Sequence, residues 1–382
     1  MDYHRFREIT LELDDTAYRV VSKPGVVSWS RVDPATRLLA QTLAPASTDA
    51  VLVLGCGNGL LGLVAAGRVP QGRVLLVDDS CVAMEAARRT LALNEITNAE
   101  VRLSEEAAIR DSAFDLVVLA LPKGRETTLR ALADAAAALR IGGRLLLAGP
   151  TRGGIKSAVA RMQALFGNAE VLRIKSRHRV AVAIKRTSIA VPPPAPYAEI
   201  TAEVRGQTVR FVSRPGVFAG LDLDQGTRVL IEALRLRPTD AVLDLGCGSG
   251  VVGLVAARLC LQGYVTLVDS SCAAVEAARR TLALNGITNA EVILSDCASA
   301  VFDRKFDVVA TNPPFHQGFG VAYDVAHQFI LDAGRVLRRG GRLYLVANRF
   351  IRYDHWIEER FGNVTTVYQD NHYRVLRAIK GR

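Results

Sequence analysis

The run Thr311-Asn312-Pro313-Pro314-Phe315-His316 carries the clearest chemical potential in the chain. It follows Val308-Val309-Ala310, an apolar segment that reads as a buried strand. Two prolines directly after such a strand fix the chain direction and remove two N–H donors. The Asn312 side-chain carbonyl and the adjacent backbone carbonyl are then left as paired acceptors. Two such oxygens can hold both hydrogens of a planar exocyclic amine and direct its nitrogen lone pair at an electrophilic carbon. The chemistry is in-line displacement, driven by positioning and desolvation, and it needs no strong base before attack. Phe315 is placed to stack on the ring that bears the amine. Read by itself, the run is a strand-ending turn with a core aromatic, so what lies upstream decides. His316 stays open between touching substrate and orienting the loop.

Upstream stands Asp244-Leu245-Gly246-Cys247-Gly248-Ser249-Gly250, a strand end, a glycine-rich turn and a helix start. Glycines admit positive φ and close ligand approach, and a helix N-terminus offers N–H groups. The spacing Gly-x-Gly-x-Gly, with Asp244 two residues ahead, differs from the dinucleotide form Gly-x-Gly-x-x-Gly. Asp269 ends the next apolar strand, suitably placed to accept from both hydroxyls of a ribose. Asp296 follows the third strand, where it can meet an adenine amino group. Each aspartate also has a plainer reading, as a helix N-cap or a loop acceptor.

The elements that must position these groups occur twice. Val51–Gly59 recurs as Val242–Gly250, and Ser22-Lys23-Pro24-Gly25-Val26 as Ser213-Arg214-Pro215-Gly216-Val217. Glu85–Asn94 recurs unchanged as Glu276–Asn285, always 191 residues later. Repeats of ~20–50 residues make solenoids, whereas a period this long duplicates a whole domain. Val191-Pro192-Pro193-Pro194-Ala195-Pro196 cannot continue a helix or a central strand and reads as a stiff linker. The expected domains are therefore 1–190 and 197–382, joined by 191–196.

Within the second copy, strands are expected at Ala241–Leu245, Tyr264–Val268, Val292–Leu294, Phe306–Thr311 and Arg342–Val346. Helices are expected at Gly250–Leu261, Ser271–Asn285 and Tyr323–Leu337. The alternation predicts an α/β fold with a parallel sheet covered on both faces. Glu203–Ser213 reads as a small antiparallel appendage, and each copy closes on a strand, Arg179–Ile184 and Arg374–Ile379.

Asp244, the glycine turn, Asp269 and Asp296 together resemble the class I S-adenosylmethionine-dependent methyltransferases, and they do so along nearly the whole chain. The resemblance implies two Rossmann-like domains, each a seven-stranded sheet with the last strand antiparallel. It places Asp244, Gly246, Cys247, Gly248, Gly250, Asp269, Ser270, Asp296, Cys297 and Asn312 around S-adenosylmethionine, with S-adenosylhomocysteine as product. Asn312, Pro313, Pro314 and Phe315 form the catalytic corner. The longer form Phe315-His316-x-Gly318, with Pro215-Gly216-Val217-Phe218 and Leu223-Asp224-x-Gly226, is similar to the RsmC-type ribosomal RNA guanine-N2 methyltransferases. Those are tandem duplications in which only the C-terminal copy is catalytic. The implied target is a guanine N2 in 16S RNA, within a small subunit or its assembly intermediate. Alternatives are a 23S RNA enzyme of the same layout, a protein glutamine methyltransferase and a non-catalytic assembly factor. Phe315, where the glutamine enzymes use Tyr, argues against the second of these.

The first copy departs at the chemical positions. Ala120-Leu121-Pro122-Lys123 replaces the Asn312–Phe315 run, Val53 replaces Asp244 and Glu105 replaces Asp296, while Gly55, Gly57, Gly59 and Asp78 survive. That copy is expected to be non-catalytic.

Composition sets the outer bounds. At 49% hydrophobic and 23% charged, the 382 residues exclude disorder and a disulfide scaffold. The six cysteines form no CxxC pair, and no metal site is expected. No apolar run is long enough to span a bilayer, and Met1-Asp2-Tyr3-His4-Arg5 opens no apolar signal region, so neither membrane insertion nor secretion is expected. Cysteines without a CxxC pair fit a reduced cytoplasmic setting, and a monomer is expected. Net charge is +10, and residues 1–190 hold 26 basic against 19 acidic side chains. The basic stretch Arg173–Arg179 with Lys185-Arg186 is either an RNA-gripping face or a solvated one.

Overall fold

The longest apolar runs become central strands because only a sheet covered on both faces buries them. Ala50–Leu54 is buried at every position, and in Ala241–Leu245 four of the five residues are. A computed structural model describes residues 2–104, 113–189, 197–314 and 319–381. They fall into two units, His4–Ala195 and Pro196–Arg382 in the main.

The first unit comprises β1 (Arg7–Leu13), β2 (Thr16–Ser22), α1 (Pro34–Thr42), β3 (Ala50–Leu54), α2 (Leu60–Arg68), β4 (Arg73–Asp78), α3 (Cys81–Leu93), β5 (Ala99–Leu103), β6 (Phe114–Ala120), α4 (Arg125–Ala138), β7 (Leu139–Pro150), α5 (Ile155–Phe166), β8 (Glu170–Lys175) and β9 (His178–Ile184). The second repeats the order with β10 (Ala198–Val204), β11 (Gln207–Ser213), α6 (Gln225–Ala233), β12 (Ala241–Leu245), α7 (Val251–Leu259), β13 (Tyr264–Asp269), α8 (Cys272–Leu284), β14 (Ala290–Leu294), β15 (Phe306–Thr311), α9 (Phe319–Val336), β16 (Leu337–Asn348), α10 (Asp354–Phe361), β17 (Thr365–Gln369) and β18 (Tyr373–Ile379).

Each unit holds a seven-stranded sheet. The order is β5-β4-β3-β6-β7-β9-β8 in the first and β14-β13-β12-β15-β16-β18-β17 in the second. Only the last strand of each, β9 or β18, runs antiparallel to its neighbours. This is the expected α/β class I methyltransferase sheet. In the second unit two apolar layers flank it, one under α6–α8 and one under α9 and α10.

Several elements differ from expectation. The appendage is a full hairpin, β10 with β11, turning at Arg205 and Gly206, both at positive φ. Helix α9 begins four residues before Tyr323, and β16 extends beyond Arg342–Val346 at both ends. Helices α6 and α10 and strand β17 were not expected. Strand β17 is exposed at every residue, and α10 buries only Ile357 and Phe361, so neither leaves an apolar period to read.

The unchanged block Glu276–Asn285 has a physical reason. It lies on α8 and anchors the hairpin: Thr281 Oγ1 accepts from Val212 N at 2.9 Å, and Asn285 Nδ2 donates to Arg210 O at 2.7 Å. Thr90 and Asn94 repeat both bonds to Val21 and Arg19.

Helices α2 and α7 lie tight on their sheets through one glycine each. A Cβ on Gly62 would stand 2.2 Å from Leu76 Cδ2, and one on Gly253 would stand 2.4 Å from Leu267 Cδ2. Gly62→Ala and Gly253→Ala are each expected to cost about 1–3 kcal/mol by overpacking. Calorimetry of the whole chain should show each variant lowering its own unit's transition; an unshifted transition would count against this packing.

Candidate functional site

The site lies at the C-terminal ends of β12, β13 and β15, the rim where open α/β sheets bind ligands. Thr311 Oγ1, fully buried at the end of β15, donates to Leu245 O at 2.7 Å at the end of β12. This bond brings Asn312 alongside the glycine turn.

Gly246, Gly248 and Gly250 all take positive φ, 76°, 52° and 80°. A Cβ on Gly246 would meet the Phe329 ring at 2.8 Å, and one on Gly250 would meet Ala278 Cβ at 2.9 Å. Four amides of the turn are spent inside the protein. Gly246 N and Cys247 N donate to Val268 O, Gly250 N to Cys247 O, and Gly248 N to Asp269 Oδ2 at 2.9 Å. The turn is therefore not the open ring of N–H donors that a pyrophosphate needs.

Asp269 uses Oδ2 for Gly248 and Oδ1 for Ser271 N, at 3.0 Å. A carboxylate has roughly four lone-pair sites, more than these two bonds fill. Asp78 makes the same two bonds, to Gly57 N and Ser80 N. The staple thus belongs to the turn itself, which accounts for Asp78 and the glycines surviving in the first copy.

Asp244 sits beneath the turn, 2% exposed, with Oδ2 accepting from Gly253 N at 2.8 Å. Burial pushes its pKa up to about 7. Cys247 is buried, and burial drives its thiol well above the usual range, so it serves here by shape rather than as a nucleophile. Ser270 is half-buried beside Asp269. Asp296 is half-buried after β14, and the buried Cys297, at φ 51°, turns its thiol to Asp296 Oδ1 at 3.7 Å. Pro313 is buried and Pro314 half-buried. Phe315, His316 and Gly318 lie outside the described residues, as does Glu105.

The corner itself is held by residues that the motif reading did not single out for this role. Asn312 Nδ2 donates to Asp224 Oδ2 and to Thr227 Oγ1, both at 3.0 Å. Asp224 also caps α6, accepting from Thr227 N at 2.8 Å. A carboxylate only accepts, so the amide nitrogen must face it and Oδ1 is left for a ligand. The sequence signal was the Asp-x-x-Thr cap ahead of α6, 88 residues from Asn312. Tyr373 completes the cluster, its ring 3.1 Å from where a Cβ on Gly226 would lie. Phe218, 41% exposed, leans over the turn, with its Cβ 3.6 Å from where a Cβ on Gly248 would lie.

The first unit keeps the cap, Asp33 on Thr36, but Ala120 stands at the Asn312 position. From Asn312 to Leu337 the chain runs six residues longer than from Ala120 to Leu139. In the basic stretch, Arg173, Lys175 and Arg177 are exposed. Lys185 is not part of that face. It is 5% exposed and donates to Ala136 O and Leu139 O, because a buried ammonium must find acceptors.

Fold and site together define a class I S-adenosylmethionine-dependent methyltransferase. The chain belongs to the methyltransferase small-domain family, whose model matches residues 17–182 and 208–377. It belongs, more narrowly, to the family of ribosomal RNA small subunit methyltransferase C. The protein of that name from Pseudomonas entomophila is 37% identical over 285 residues, covering 73% of this chain and 83% of its own. Its namesake from Hahella chejuensis is 33% identical and covers 71% and 79%. A solved structure of the T. thermophilus 16S rRNA N2 G1207 methyltransferase (RsmC), in complex with AdoMet and guanosine, superposes with a TM-score of 0.85. It is 33% identical and covers 99% of this chain and 98% of its own.

The residues present fit S-adenosylmethionine. Asp269 retains lone pairs for a ribose, the turn's inward-spent amides suit a cofactor without a pyrophosphate, and the left-handed glycines keep the backbone free of side chains.

Asp244 gives a signed pH dependence. Its folded pKa lies above that of a solvated aspartate, about 3.9, so the folded protein holds a proton that the unfolded chain releases. Stability from this group is present below about pH 4 and is lost as pH rises through about 7. Asp244→Asn keeps an acceptor for Gly253 N and removes the titration. The melting temperature of the second unit is expected to fall less steeply from pH 4 to 7.5 in the variant, with a gain on the order of 1–3 kcal/mol at the upper end. Parallel slopes in the two proteins would contradict this.

Proposed function

We propose that this chain transfers a methyl group from S-adenosylmethionine to the exocyclic N2 of a guanine in 16S ribosomal RNA. The counterpart of the position numbered 1207 in its T. thermophilus relative is the favoured target. The observation that carries this reading is the clamp on Asn312: with Nδ2 bound to Asp224 and Thr227, Oδ1 is the group presented at the rim. Oδ1 and the adjacent backbone carbonyl accept the two hydrogens of the amine and hold its plane. The cofactor supplies an electrophilic methyl carbon when bound. Asn312 sets the angle of attack, and Pro313 and Pro314 bring no N–H to compete for the acceptors. Once the nitrogen is cationic, a proton leaves to solvent. Asp269 and Asp296 offer acceptor oxygens to the cofactor, Asp244 holds the turn beneath it through Gly253 N, and Phe315 stacks on the base.

The enzyme works as a cytoplasmic monomer on a small subunit or its assembly intermediate, where the guanine is still accessible or is flipped out. The first unit is non-catalytic and contributes its exposed hairpin, Arg173, Lys175 and Arg177, to the RNA backbone.

Radiolabelled methyl transfer to naked 16S RNA, naked 23S RNA and both isolated subunits, followed by nucleoside mapping, tests the reading directly. Asn312→Ala is expected to lower kcat by about a thousandfold or more while cofactor affinity by calorimetry stays within about threefold. Asp224→Ala is expected to lose about ten- to a hundredfold in kcat, because the amide is released rather than removed. Undiminished turnover in Asn312→Ala would remove that residue from the mechanism. Charge reversal of Arg173, Lys175 and Arg177 is expected to weaken RNA binding and flatten its salt dependence; an unchanged salt slope would exclude the hairpin.

A further inference from the structure

Beside the catalytic corner lies an open cavity of about 470 Å³, lined by Asn348, Arg349, Phe350, Asn371, His372 and Tyr373. It is formed where β16 ends and the β17–β18 hairpin turns, on the rim that carries Asn312. Its walls are fixed. Asp370 holds the hairpin by accepting from His372 N, Tyr373 N and Tyr368 Oη, and Arg349 N donates to His372 O at 2.8 Å. Nearby, Arg352 and Arg374 both bind Asp354. The lining is different. Among the described residues the side chains of Asn348, Arg349, Asn371 and His372 make no hydrogen bond or ion pair. Phe350 leaves 79% of its surface exposed, the largest such figure for an aromatic among the described residues. A rigid frame thus presents a bare aromatic ring, an unpaired guanidinium, two amides and an imidazole. Tyr373 links this cavity to the corner, since its ring lies on Gly226, in the same helical turn as Asp224 and Thr227.

The first unit supplies an internal control. There Thr151 N donates to Arg177 O at 2.8 Å, the counterpart of the Arg349–His372 bond, so the backbone frame is kept. Strand register aligns Pro150 with Asn348 and His178 with Tyr373. The chain then has Thr151 for Arg349, Arg152 for Phe350, and Ser176 and Arg177 for Asn371 and His372. The aromatic and both amides are absent where the catalytic corner is absent.

We infer that this cavity binds the nucleotide adjoining the target guanine in the same RNA strand, its base stacked on Phe350 and its phosphate on Arg349. The inference rests on the proposed function. An exposed ring beside a free guanidinium is the arrangement that binds single-stranded nucleotides, and the volume falls within the usual range for small-ligand sites, about 300–1,000 Å³. The amides and His372 face the base edge, so this site also selects sequence next to the target.

Steady-state methyl transfer to 16S RNA by Phe350→Ala, Arg349→Gln and Phe350→Trp tests it, with melting curves to show that each variant is folded. Phe350→Ala and Arg349→Gln are expected to raise KM for RNA about tenfold with kcat within twofold, and Phe350→Trp to restore the KM. Unchanged KM in both variants overturns the inference and leaves the cavity to a protein partner. A fall in kcat with KM unchanged also overturns it. Absence of transfer to any RNA by the unmodified protein would instead overturn the proposed function, and this inference with it.

Discussion

A carboxylate can only accept hydrogen bonds, and that asymmetry governs the site. Asp224 and the Thr227 hydroxyl take the Asn312 amide nitrogen, so the amide oxygen is turned outward. Asparagine alone could present either end of its amide to a ligand, and an outward NH₂ would repel an amine. The clamp removes that choice before any substrate arrives, which is what preorganisation means for a reaction run mainly by positioning. It also couples two parts of the fold, because Asp224 is the cap of α6 while Asn312 ends β15. The Thr311–Leu245 bond then sets the clamped corner beside the glycine turn.

The duplicated unit separates scaffold from chemistry. Both units keep the glycine turn at positive φ, the aspartate that staples it and the capped helix before the first central strand. Those features hold the backbone together and persist whether or not a reaction is run. Asn312, Asp244 and Phe350 belong to the second unit alone; Ala120, Val53 and Arg152 stand at their positions in the first. Between the corner and the next strand the chain is also six residues longer than in the first unit.

Much of the fold was legible because parallel strands buried on both faces are nearly continuous apolar runs, and Val51–Leu54 and Val242–Leu245 announce themselves. The antiparallel seventh strand came from the family resemblance, since no local pattern encodes strand direction. Elements without a buried face stayed hidden, β17 above all. At the site, the turn and the aspartates were readable from type and spacing. The use of the turn's amides was not, because it depends on where Val268 O and Asp269 fall in three dimensions. The Asn312 clamp was hidden for the same reason: the Leu223-Asp224-x-Gly226 motif marks Asp224 but not its partner 88 residues further on. Lys185 was misassigned to a basic surface because sequence shows its charge and not the two carbonyls beneath it.

The helix block shared without change by α3 and α8 has a consequence for how the chain acquires its shape. Thr90 and Asn94, or Thr281 and Asn285, offer either hairpin the same hydrogen-bonding socket, so nothing in those contacts distinguishes the right ribbon from the wrong one. Vectorial synthesis supplies the missing discrimination: the leading hairpin can seat on its own helix before the trailing pair has left the ribosome. Refolding from denaturant removes that ordering, and crossed seating then becomes a competing trap, peculiar to a protein that carries one socket twice.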